Sequence, residues 1–114
     1  MATFVAISQA EFVDQVIAAA QKFGVETRLN RNGDRQLDFD NKSLTEDHLR
    51  RMYQDIVRKT GVYSRTDMEL LLGGSRPCAV APFFDLVTRA GLAVPSTDED
   101  GKTVYRFRLS KRVS

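Results

Sequence analysis

Between Ser43 and Gly91 the chain spells three helices with almost nothing between them, and few folds accept that arrangement. Ser43-Leu44-Thr45-Glu46 has capping-box spacing, with a hydroxyl and a carboxylate placed to satisfy each other's backbone amides. Leu49, Met52, Tyr53 and Ile56 then form one apolar stripe, opposite Arg50, Arg51, Gln54, Asp55 and Arg58, so an amphipathic helix is expected to end near Gly61. Ser64-Arg65-Thr66-Asp67 caps a shorter helix through Met68, Leu71 and Leu72 that stops at Gly73-Gly74. Ser75-Arg76-Pro77 opens a third helix, expected over about 76–90 and ended by Gly91. Pro82 lies inside it, where the missing amide and the ring clash cost ~3 kcal/mol. Because Gly73-Gly74-Ser75 already supplies turn and cap, one bent helix is the reading. Val80, Phe83, Phe84, Val87 and Ala90 recur at helical spacing and belong to a core. After Gly91, Leu92-Ala93-Val94 and the loop 95–102 lead to Thr103, Tyr105, Phe107 and Leu109, which alternate with Val104, Arg106 and Arg108 as in a half-buried hairpin strand.

The first 42 residues read differently. Thr3 to Ile7 is a short strand by its β-branched and aromatic content. Ser8-Gln9-Ala10-Glu11 is another capping box, so a helix is expected over 9–23, with Phe12, Val16, Ala19, Ala20 and Phe23 inward and Gly24 as its left-handed stop. Val25, Thr27 and Leu29 alternate with charged neighbours up to Asn32-Gly33, and Leu37 and Phe39 resume the alternation: a hairpin. A two-residue loop would place its apolar side chains on opposite faces. An odd loop is therefore expected, pairing Leu29 with Leu37 and Thr27 with Phe39 and setting Arg28 opposite Asp38. The fold class expected is α+β, with a small β-α-β-β unit over 1–42 and a helical unit with a hairpin over 43–114. A unit so small does not bury both faces of its sheet alone, which points to a homodimer, or another protein partner, through residues 1–42.

Composition narrows the function. At 114 residues and 42% hydrophobic, the chain suffices for a core without staples. A lone Cys78 offers neither a disulfide nor a cysteine-rich zinc site, and no apolar run approaches the ~20 residues that span a bilayer. The opening lacks the pattern of a signal peptide, so a cytoplasmic location is expected. The net charge of +2 decides little, but its distribution is uneven. Lys102, Arg106, Arg108, Lys111 and Arg112 crowd the end of the chain with no acid among them. That strip suits phosphate neutralisation.

The run Ser64-Arg65-Thr66-Asp67-Met68-Glu69-Leu70-Leu71-Leu72-Gly73-Gly74-Ser75-Arg76, followed by Phe84 to Leu92, resembles bacterial winged helix-turn-helix regulators over about residues 43–110. The resemblance implies three helices plus a β-hairpin wing, binding double-stranded DNA as a transcriptional or mobile-element regulator, without catalysis or a cofactor. It implies that helix 76–90 enters the major groove, with Ser75 and Arg76 at the groove mouth and Cys78, Ala79 and Pro82 on its exposed side. Arg65 would lie near a phosphate, and Arg106, Arg108, Lys111 and Arg112 would form one positive strip. The sequence departs from the pattern in two respects: the exposed positions of that helix are mostly Ala, Cys and Pro rather than the Arg, Lys, Asn or Gln that read base edges, so base reading would rest on Arg76, and the loop tip Asp98-Glu99-Asp100 is acidic. A protein-binding adaptor or inhibitor on the same scaffold, using helix 76–90, is the alternative.

Other chemistry finds less support. Asp38 and Asp40, with Asp34 nearby, fall on the solvent face of a strand and suggest no metal site. His48 reads as a surface residue and Cys78 as a small packed thiol. Gly73-Gly74-Ser75-Arg76 lacks the spacing and the Lys-Ser/Thr ending of a phosphate loop.

Overall fold

Reciprocal caps fix where the helices begin. The Ser8 hydroxyl accepts from the Glu11 amide, and the Ser8 amide donates to the Glu11 carboxylate, each at 3.1 Å, opening helix α1 (Gln9–Lys22) after strand β1 (Thr3–Ala6). Strands β2 (Glu26–Leu29), β3 (Arg35–Phe39) and β4 (Lys42–Thr45) lead into helix α2 (Glu46–Arg58). The short β5 (Val62–Tyr63) precedes α3 (Arg65–Leu71) and α4 (Pro77–Arg89), and β6 (Ala93–Thr97), β7 (Thr103–Phe107) and β8 (Ser110–Val113) complete the chain. The computed structural model describes residues 3–39, 42–74 and 77–113, apart from the side chains of Pro77 and Cys78. It is an α+β structure with antiparallel sheets in the orders β2-β3-β4, β5-β7-β6 and β1-β8. No helix among the described residues is long and apolar enough to cross a membrane.

The cap of α2 is displaced from its expected place. Ser43 and Leu44 continue as β4, with Leu44 opposite Leu37 and both fully buried. Thr45 caps instead, its amide donating to His48 Nδ1 at 3.0 Å. Burying Leu44 outweighs starting the helix two residues sooner, and His48 becomes part of a cap rather than a plain surface side chain.

The hairpin has the odd loop that parity demands, but its register is shifted. Thr27 pairs with Leu37, Arg28 with Gln36 and Leu29 with Arg35. The Asn30 side chain accepts from the amides of Asn32 and Asp34 at 2.9 and 3.0 Å, and Gly33 supplies a φ of 81°, which closes the turn before Leu29 can reach Leu37. Arg28 still meets Asp38, diagonally, at 2.9 Å.

Both parts of the chain feed one core. Phe12 of α1 lies 6.2 Å from Phe107 of β7, which also meets Tyr63 and Phe84, while Phe84 stacks on Tyr105 at 4.4 Å between ring centres. Phe83 and Phe84 are fully buried, as their helical spacing predicts. The Tyr53 hydroxyl donates to the Ile7 carbonyl at 2.6 Å, tying α2 to the end of β1. Inside the core, the Asp55 carboxylate accepts from the Tyr63 hydroxyl at 2.7 Å and from Arg58. Burial opposes its charge, yet those hydrogen bonds prevail and hold the carboxyl below its ordinary range, while burial and then the Asp55 bond push the Tyr63 hydroxyl upward.

Helix α4 runs unbroken through Pro82. It packs against α1, α3, β3, β4 and β6, burying Ala79, Val80, Phe83, Phe84, Leu86 and Val87. Ala79, expected on an exposed side, is fully buried. It precedes Phe83 by one helical turn, so its small side chain is what lets the helix seat closely against its neighbours rather than a sign of bare surface.

Candidate nucleic-acid interface

The basic strip resolves into two sides of one extended segment. From Thr103 to Val113 the chain is strand throughout except at Arg108 and Leu109, and burial alternates from Tyr105 to Ser110. Tyr105 and Phe107 are buried and Leu109 is half-buried, whereas Arg106, Arg108, Ser110 and Arg112 are exposed. Alternation places Arg106 and Arg108 on the outer side, and the same parity carried into β8 puts Arg112, there opposite the exposed Phe4, in line with them. Arg106 stands on the central strand of its sheet, flanked by Val62 of β5 and Val94 of β6. Lys111 falls on the other side and pairs with Glu11 at the start of α1, holding that carboxyl below its ordinary range. The expected strip therefore loses Lys111, which belongs to a structural pair.

The charges of the row are uncommitted, as are those of Lys22, Arg31 and Lys42 among the described residues. Arg28, Arg35, Arg50, Arg51, Arg58, Lys59 and Arg89 each meet a carboxylate. Among the described residues, Arg106, Arg108 and Arg112 meet none within 4.0 Å. Strand spacing sets Arg106 and Arg108 about 7 Å apart, and Arg112 lies four residues beyond Arg108, about 13 Å for extended chain. Fixed cations with no counterion of their own can exchange solvent ions for phosphates.

A second basic element lies at the hairpin. A cleft of about 500 Å³ opens between the start of α3 and the β6–β7 loop, lined by Arg65, Asp67, Asp98, Lys102 and Tyr105 among others. Arg65 reaches toward the Tyr105 hydroxyl at 3.5 Å. Of the acids on this wall, Asp67 accepts the Ser64 amide and meets Lys59, while Asp98 accepts the amides of Asp100 and Lys102 and keeps its charge. Lys102 and Arg65 have no carboxylate within 4.0 Å among the described residues, so the cleft has two available cations despite the acidic tip.

The expected reading helix supplies less. Ser75 and Arg76 lie outside the described residues, as does the Cys78 side chain. Ala79 is in the core. The exposed line along α4 is Ala81, Asp85 and Arg89, and its two charges pair with each other at 3.2 Å. Pro82 is half-buried beside Gly24, Val25 and Phe39. Among the described residues no group of three or more His, Cys, Asp or Glu side chains converges in a way that would hold a metal ion. Sequence reasoning missed the pairing of β8 with β1, which places Phe4 opposite Arg112; nothing local marks a partner at the far end of the chain. Comparison with protein-family models, characterised proteins and solved structures finds no match to this chain.

Proposed function

We propose that this protein binds double-stranded DNA chiefly through the phosphate backbone, on a winged-helix scaffold. The uncommitted row Arg106, Arg108 and Arg112 carries the reading, with Arg65 and Lys102 as a second contact. The order α2, β5, α3, α4, then the β6–β7 hairpin, with β5 against β7, supports the scaffold. Base readout is a minor part of this proposal, because the Ala81, Asp85 and Arg89 line of α4 has no free fork to place against a base edge. The protein is then a non-enzymatic factor of transcription or of a mobile element that holds DNA more by charge than by sequence.

The acidic tip Asp98-Glu99-Asp100 favours a second reading, a protein-binding adaptor on the same scaffold. Titration of a labelled duplex at several salt concentrations separates the two. DNA binding gives an affinity that falls linearly on a log–log plot with a slope of about −0.9 per phosphate neutralised. No binding at low salt overturns the DNA reading and leaves the adaptor.

A further inference from the structure

The ribbon of β1 and β8 stands clear of the core, and one of its edges is built to meet itself. Phe4 and Val5 are 64% and 40% exposed. The Ile7 amide donates to the Leu109 carbonyl at 2.9 Å, in line with the β1–β8 register that pairs Val5 with Lys111 and Thr3 with Val113. Antiparallel ladders alternate, so Thr3, Val5 and Ile7 turn their amides and carbonyls toward β8, whereas Phe4 and Ala6 turn theirs the other way. On that side no strand pairs with β1 among the described residues. The β1 edge also carries no charge and no proline, the usual devices that keep strand edges apart, whereas the outer edge of β8 carries Lys111 and Arg112.

We propose that this edge is the seam of a two-fold dimer, in which β1 pairs antiparallel with β1 of a second copy of the chain. An axis through Val5 sets Phe4 opposite Ala6 of the second copy, and Ala6 opposite its Phe4. Those are the residues whose backbone groups face outward, so all of them are satisfied at once by an identical strand. The side chains fit as well: a large ring lies over a small methyl on one face, and Val5 meets Val5 of the second copy on the other. Lys111 and Arg112 are carried to the outside of the four-stranded ribbon, away from their copies. Dimerisation also joins the two basic rows, because Arg112 shares a face with Phe4, and both copies then present Arg112 around the axis. The seam rests on the β1–β8 geometry and stands or falls independently of DNA binding.

Molar mass by light scattering, on the full chain without DNA at tens of micromolar, tests it. The wild type is expected at twice the mass of one chain. Val5→Glu keeps the ribbon, because the new carboxylate faces Lys111 of its own strand pair, but sets like charges together across the axis. Ala6→Pro removes an edge amide that β8 does not use. Each variant is expected to have the mass of one chain with an unchanged circular dichroism spectrum, and either one suffices if the other fails to fold. A wild type with the mass of one chain, or a dimer that survives the folded variants, overturns the proposal.

Discussion

The junction of α1, β3 and α2 and the outer side of residues 106–112 are both rich in arginine, yet they spend it in opposite ways. At the junction, Arg35 meets Asp14 at 2.7 Å and also Glu46, and Arg50 meets Glu46 at 3.6 Å and Asp34 at 4.0 Å. These charges fasten three elements together and have little left for a ligand. Along the row, Arg106, Arg108 and Arg112 have exposed side chains and, among the described residues, no carboxylate within 4.0 Å to hold them. Residue type alone therefore does not mark a binding surface; what separates the two regions is whether the fold has already consumed the charge. The contrast implies that neutralising the row should cost binding and little stability, and that neutralising the junction should do the reverse.

The largest effect expected is that of Arg106→Gln, Arg108→Gln and Arg112→Gln combined. If each contacts one phosphate, the salt slope falls in magnitude by about 2.7, equivalent to a few hundred-fold in affinity at 0.1 M salt. The thermal midpoint should stay near wild type, since exposed, unpaired side chains usually contribute within ±0.5 kcal/mol. A wild-type slope in the triple variant would break the comparison at its stronger end.

Tyr63→Phe probes a committed charge at its most buried. Removing the hydroxyl leaves the Asp55 carboxylate in the core with Arg58 as its remaining side-chain donor, and hydrogen bonds to charged groups are worth about 1.5–3 kcal/mol. Chemical denaturation should show a loss of that size, with duplex affinity unchanged once both proteins are folded. The acid limb sharpens the test. Because the Asp55 carboxyl is held below its unfolded value of about 3.9, its contribution is complete above that pH and is lost as pH falls through the lower folded value. Tyr63→Phe removes one of the bonds that lower the folded pKa, so the stability lost between neutral pH and pH ~2 should be smaller than in the wild type. An equal loss in both proteins would mean that the Tyr63 bond does not set the acid sensitivity.

How much of this was legible follows the range of the interactions. Ser8 with Glu11 and Ser64 with Asp67 are contacts within one helical turn, and their spacing is enough to place α1 and α3. Thr45 displaced Ser43 as the cap of α2 because Leu44 has a place opposite Leu37, a partner that only the tertiary structure supplies. The pairing of Phe4 with Arg112 is more remote still, so the end of the basic strip, to which no local pattern assigns a structure, is in fact a strand. That strand separates Lys111 from Arg112: neighbours in a tail share a surface, but neighbours in a strand face opposite ways. Ala79 misled for another reason, since a small apolar side chain suits a close helix contact as well as it suits exposure, and composition alone does not distinguish the two. Of the expected interface, Arg106 and Arg108 were readable from alternation alone, whereas the commitment of their neighbours to ion pairs needed distances.

Arg35→Gln is the finest test of the junction and carries the smallest expected effect. The substitution removes the contacts to Asp14 and Glu46 while keeping much of the side chain's length, so the stem still covers its neighbours. The side chain is 42% exposed and Arg50 remains beside Glu46, so water and a second cation compensate part of the loss. A cost of about 1 kcal/mol is expected, at the upper end for pairs that water reaches. Raising the salt from low concentration should shrink that cost, because the pairs are partly screened already. Duplex affinity should be unchanged at every salt concentration. A stability loss indifferent to salt would show that the Arg35 stem, rather than its charge, holds the three elements together, and a loss of duplex affinity would mean that the junction also faces DNA and that the division between consumed and available charge is drawn in the wrong place.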